Sequence, residues 1–142
     1  VRLASVAAHF GRDIDRSLDK MAGIVADARS SGVELLVFPD ATLGGYLSDL
    51  RHPDAHALPP ALAEDSFEIG RVIAMAGDMV VCFGYTEEAV VDGLPVHFNA
   101  AVCVTGDGVL GRHRKVHQPA GEALAYRAGE RFAAFDSPVG RM

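Results

Sequence analysis

Long hydrophobic runs are missing from this 142-residue sequence. No apolar stretch approaches the roughly 20 residues that cross a bilayer, so a membrane is not an expected partner. The opening Val1-Arg2-Leu3-Ala4-Ser5 lacks the basic, apolar and small-residue regions of a secretory leader, which favours a cytoplasmic setting. Cysteine is scarce too. Cys82 and Cys103 each lie inside an apolar segment, Met79-Val80-Val81-Cys82-Phe83 and Ala100-Ala101-Val102-Cys103-Val104, with no partnering pattern. Neither a disulfide framework nor a metal cluster is indicated, and both thiols read as small buried hydrophobes in a reducing compartment. Positive charge is in deficit, since 13 Lys and Arg face 19 Asp and Glu for a formal net charge of -6. That balance repels phosphate backbones, and the basic cluster Arg112-His113-Arg114-Lys115 is too short to reverse it. Nucleic acid is therefore not expected. No glycine fingerprint follows the first strand, which argues against a doubly wound nucleotide-binding domain. Gly44-Gly45 and Gly106-Asp107-Gly108 lack the spacing and the lysine of a phosphate loop and read as turns.

What is present is enough apolar material for a core: 49% of residues are hydrophobic and 23% charged, as in one globular domain over residues 1–142. Arg2–Ala8 reads as a short strand, and Ile14, Leu18, Met21, Ile24, Val25 and Ala28 fall at helical spacing within Asp13–Ser31, which Gly32 ends. Val33–Phe38, bounded by Gly32 and Pro39, is a strand covered on both faces. This strand-helix-strand unit predicts a parallel pair, with a ligand site beyond the carboxyl end of its second strand, where Asp40 stands. Gly44–Pro60 reads as a long surface loop bordering that site. A second helix is expected over Ala61–Gly77 and a buried strand over Met79–Tyr85. Thr86–Pro95 follows as an acidic turn, and Val96–Thr105 pairs with Val109–Val116 as a hairpin. A short strand is expected at Arg131–Phe135, with a new apolar segment from Val139.

Three residues could carry chemistry, and each has a plain alternative. Asp40 could cap a helix, Lys115 could be a solvated charge, and Glu122 could be a carboxylate drawn to a helix start. His113 and His117 flank Lys115 but have no third ligand nearby, so they read as orienting the lysine or facing solvent.

Taken together, Leu35-Leu36-Val37-Phe38-Pro39-Asp40, then Gly45-Tyr46, then Gly111-Arg112-His113-Arg114-Lys115-Val116-His117 resemble the nitrilase superfamily of carbon-nitrogen hydrolases in order and spacing. The resemblance covers the whole chain and implies an α/β fold, a partial α-β-β-α sandwich. It assigns Asp40 to the general base and Lys115 to the group that stabilises the tetrahedral intermediate. Gly121-Glu122, with Tyr126 and Gly129 beyond, is similar to the stretch bearing a second glutamate, so Glu122 would position the lysine and the substrate. Val139-Gly140-Arg141-Met142 looks like the opening of the strand whose far end carries the nucleophilic cysteine. Asp40 stands where the family has glutamate, one methylene or about 1.5 Å shorter in reach.

The implied function is hydrolysis of a small-molecule amide, carbamoyl or nitrile carbon-nitrogen bond, with no cofactor and no metal. The chain by itself is expected to be inactive. The alternative is a noncatalytic remnant acting through association. A homo-oligomer is expected, because an unpaired sheet edge is foreseen beside Val80, Val81, Phe83, Val102 and Val104.

Overall fold

Asp13 stops the extended lead-in and starts α1 (Ile14–Ser30), its side chain accepting from the Arg16 amide at 3.0 Å. That bond satisfies one of the donors a helix start leaves open. The computed structural model describes residues 1–53 and 58–142; of the expected loop Gly44–Pro60, residues 54–57 lie outside the described residues. Leu18, Met21, Val25 and Ala28 are buried along one stripe of α1, and at Gly32 the chain turns back with the Val33 amide donating to the Ala28 carbonyl.

This helix joins β1 (Leu3–Ser5) to β2 (Leu35–Val37) as a parallel pair. The next crossover carries α2 (Phe67–Ala76) and leads to β3 (Val80–Val91), parallel to β2. The sequence pattern starts this helix at Ala61, but Ser66 is the cap. Residues before it are taken by β3, with the Leu62 amide donating to the Thr86 carbonyl and the Glu88 amide to the Leu62 carbonyl, both at 2.9 Å. Two crossovers advancing in one direction with the same hand lay both helices on the same face of the sheet. Leu18, Met21 and Val25 of α1 and Ile69, Val72 and Ala76 of α2 accordingly share one cluster with Val81, Phe83, Tyr85, Val102 and Val104.

β3 continues well past Tyr85 and returns as β4 (Leu94–Thr105), each 12 residues long. The acidic stretch expected as a turn is thus mostly strand, and only Asp92-Gly93 turns, both at positive φ as a two-residue hairpin requires. Acidity misled because strand residues alternate in direction: Glu88 is exposed, whereas Glu87 is buried and paired with Arg114. β5 (Gly108–Arg114) completes the order β1-β2-β3-β4-β5.

Val80, Val81, Phe83, Val102 and Val104 lie in interior strands and are at most 1% exposed, so the edge foreseen beside them does not exist. The sheet's edges are β1 and β5. The strand expected at Arg131–Phe135 is also displaced, to a small hairpin of β6 (Asp136–Ser137) and β7 (Gly140–Arg141), which Phe135 and Met142 extend by exchanging backbone bonds.

A further correction concerns the cysteines. Antiparallel register puts Cys82 directly opposite Cys103 with Cα atoms 4.1 Å apart, and the two are joined as a disulfide. Strand register, which no spacing rule for cysteines encodes, makes this pair.

Candidate functional site

The face of the sheet away from the helices carries Leu35, Val80 and Cys82, with Val37, Cys103 and Leu110 packed beside them. At one end of this face the apolar surface gives way to polar groups around a cleft of about 290 Å³ whose lining includes Val37, Asp40, Asn99, His113 and Lys115. A larger hollow of about 560 Å³ holds Arg112, Arg114, Glu64, Glu87, Arg127 and Glu130. There Arg114 already binds Glu87 and Arg112 binds the Tyr85 hydroxyl and Glu64, so the free chemistry is in the smaller cleft.

Asp40 reaches the cleft because the chain beyond β2 keeps running along β3. The Phe38 amide donates to the Cys82 carbonyl at 2.8 Å and the Leu43 amide to the Gly84 carbonyl at 3.1 Å. Between those anchors the backbone passes over Gly84 so closely that a Cβ there would sit 2.5 Å from the Ala41 nitrogen and 3.0 Å from the Asp40 Cα. Only glycine permits that approach. The next residue, Ala41, is held at φ 52°, a left-handed conformation that costs a non-glycine residue energy and is met most often at functional sites. The Thr42 hydroxyl fastens the turn by donating to the Pro39 carbonyl at 2.7 Å.

Lys115 extends the β5 pairing by one step, its amide donating to the Asn99 carbonyl at 2.8 Å. Alternation along β5 then sends Arg112 and Arg114 to the helix side and His113 and Lys115 to the cleft side. Glu122 opens a short 3₁₀ turn (Glu122–Leu124) behind Gly121. A Cβ on Gly121 would fall 1.6 Å from the Leu50 carbonyl oxygen, so glycine lets the segment after Pro119 close against the loop that bears Tyr46.

Three donors converge on Glu122 Oε1: the Lys115 ammonium at 3.0 Å, the Asn99 amide at 3.2 Å and the Tyr46 hydroxyl. Glu122 is fully buried. Asn99 also donates to Asp40 Oδ2 at 3.2 Å, so the carboxylate at the end of β2 and the ion pair behind β5 belong to one network. The phenol of Tyr46 is pushed well above the usual tyrosine range, by burial first and then by its bond to Glu122, and it stays a neutral donor. Tyr126 is raised by burial and shares a contact of 3.2 Å with the Thr86 hydroxyl.

Asp40, Lys115 and Glu122, the candidates taken from the sequence, are therefore brought to one cleft. His113 and His117 instead stand on either side of the Phe132 ring, at 5.4 and 5.9 Å between ring centres. Among the described residues neither histidine bonds to Lys115. Asn99 and Tyr46 were not picked out as site groups. Asn99 sits mid-strand in an apolar run and gives no local signal beyond being polar where a strand should be buried.

Comparison with known proteins agrees with this geometry. The carbon-nitrogen hydrolase family profile matches residues 2–142. The bifunctional nitrilase/nitrile hydratase NIT4B of Nicotiana tabacum is 27% identical over 92% of this chain and 41% of its own length. Nitrilase 3 of Arabidopsis thaliana is 26% identical, with 92% and 42% covered. The chain thus spans less than half the length of these curated relatives. Among solved structures, the NitN amidase from Neterenkonia sp. AN1 superposes with a TM-score of 0.70 at 18% identity over 96% of this chain and 53% of that one. Nit3 of Saccharomyces cerevisiae, of the nitrilase superfamily, gives 0.66 at 20% identity over 99% and 51%. With a family match along nearly its whole length and the same fold in these structures, this chain belongs to the carbon-nitrogen hydrolase family.

Proposed function

We propose that this chain is the part of a carbon-nitrogen hydrolase that supplies the base and the oxyanion-stabilising cation for cleaving a small amide, carbamoyl or nitrile. The observation that carries the reading is the buried Lys115–Glu122 ion pair, joined through one amide to Asp40 at the rim of a ligand-sized cleft. A free thiol is mostly protonated at neutral pH, so a cysteine nucleophile needs a neighbouring base as it attacks. Asp40 is that base. As the attacked carbon becomes tetrahedral, charge builds on its oxygen or nitrogen, and a fixed ammonium in a water-poor site stabilises it. Lys115 fills that role, and Glu122 holds it in place. Asp40 then returns its proton to departing ammonia and activates water against the thioester.

Cys82 and Cys103 are occupied with each other, so neither is the nucleophile in this reading. A relative shows what the missing group is: the amidase from Nesterenkonia sp. AN1 forms an acrylamide adduct at its active-site cysteine. In the proposed enzyme that cysteine comes from the part of the protein that lies outside these 142 residues.

The test is ammonia release by the full-length gene product from short amides, N-carbamoyl amino acids and nitriles. Release is expected, and it should vanish with Asp40→Asn and with Lys115→Met. The chain of residues 1–142 should release none. Full activity in both variants, or release by residues 1–142 that disappears with Cys82→Ala, would sink the proposal.

A further inference from the structure

Asn99 lies at the centre of the site yet has no part in the chemistry above. It is 5% exposed, and its backbone already pairs with Lys115. Its side-chain nitrogen is 3.2 Å from Asp40 Oδ2 and 3.2 Å from Glu122 Oε1. A primary amide has two coplanar N–H donors, so each carboxylate takes one. Charge fixes the orientation, because the reversed amide would aim its carbonyl oxygen at two anions.

We propose that Asn99 is a positioning residue that clamps the Asp40 and Glu122 carboxylates at a set spacing, and so fixes the base relative to the anchor of the catalytic lysine. This rests on the hydrolase reading. Two 3.2 Å bonds from one nitrogen keep the two carboxylate oxygens within about 6 Å of each other, where like charges repel unless a donor lies between them. The two partners differ in how firmly they are held. Glu122 is buried and also bound by Tyr46 and Lys115, whereas Asp40 is exposed and its side chain makes no other hydrogen bond among the described residues. Removing the amide therefore frees Asp40 first. Asp40 has a shorter reach than the family's glutamate, so its placement depends all the more on what holds its carboxylate.

The experiment uses the full-length gene product carrying Asn99→Asp, which keeps the shape and removes both donors, or Asn99→Ala. Steady-state kinetics with propionamide, the pH dependence of kcat/KM, thermal melts and a crystal structure of the Asn99→Ala protein are compared with the parent. In both variants kcat should fall about 100-fold with KM within about threefold, as for a lost alignment rather than lost binding. The acidic limb of kcat/KM, which reports ionisation of the base in the free enzyme, should move to higher pH. In the Asn99→Ala crystals Asp40 should swing away from Glu122. A kcat within about threefold of the parent's, or Asp40 unmoved in those crystals, overturns the proposal. So does a loss of kcat that follows a fall in melting temperature while the acidic limb stays put, since that marks a role in folding alone. If the parent hydrolyses neither amides nor nitriles, the hydrolase reading fails, and the position of Asp40 in the crystals still decides the role of Asn99.

Discussion

The two faces of the five-stranded sheet carry different burdens. Under α1 and α2, Val81, Phe83, Tyr85, Ala100, Val102 and Val104 are nearly devoid of solvent contact and pack as one cluster. The other face has a smaller apolar group around Val80 and Cys82, leaves Ala101 exposed, and places Asp40, Asn99 and Lys115 at its end. Stability thus resides mostly on the first face and chemistry on the second. Alternation makes the division possible, since neighbouring residues of β3, β4 and β5 point to opposite sides and one strand can serve both. Glu87 departs from the rule: it is a buried charge on the helix side, kept there by Arg114, whose guanidinium also lies 4.0 Å from the centre of the Phe98 ring.

Substitutions on each face should separate activity from stability. The largest effect is expected from Asp40→Asn in the full-length gene product. Removing a positioned base should lower kcat about 10³-fold while the melting temperature barely moves, because Asp40 is exposed and makes one side-chain bond. A melt that falls along with activity would break the comparison. Phe83→Ala should do the reverse, costing about 3–5 kcal/mol in urea unfolding through the cavity it leaves, with kcat of the folded fraction unchanged.

Cys82–Cys103 tests whether the cleft-side face contributes stability of its own. The bridge closes a loop with a sequence separation of 21, for which chain entropy gives about 3 kcal/mol. Dithiothreitol should lower the melting temperature accordingly, and intact-mass analysis after alkylation without reductant should find both thiols blocked. Free thiols in the unreduced protein would remove that contribution.

The smallest effect concerns Tyr85, on the helix side. Burial, with the nearby Glu87 charge adding to it, pushes its phenol up to about 12. A raised folded-state pKa means that the stabilisation is fully present below pH 10, where unfolded tyrosine begins to ionise, and is lost as pH climbs towards 12. Urea unfolding at stepped pH should show a loss of roughly 2 kcal/mol across that window, abolished by Tyr85→Phe. A flat profile would mean that the phenol is not shielded.

Sequence by itself determined much of this protein. Helical spacing located α1, the run before Pro39 located β2 and set Asp40 at its carboxyl end, and the order of short motifs singled out Lys115 and Glu122. These features are local, and local preferences and residue order are what a linear sequence records. Tertiary structure decided the rest. The acidic residues of β3 could be placed in a strand only once Glu87 met Arg114, and α2 starts at Phe67 because Leu62 is drawn onto β3. Cys82 found Cys103 through register, and Gly84 and Gly121 took on meaning when other backbone passed within contact of them. Asn99 became a site residue only when Asp40 and Glu122, separated by 59 and 23 positions, arrived at the same amide. Hydrogen bonds and close packing depend on distances in space, and chain closure sets those distances between residues that no sequence pattern links.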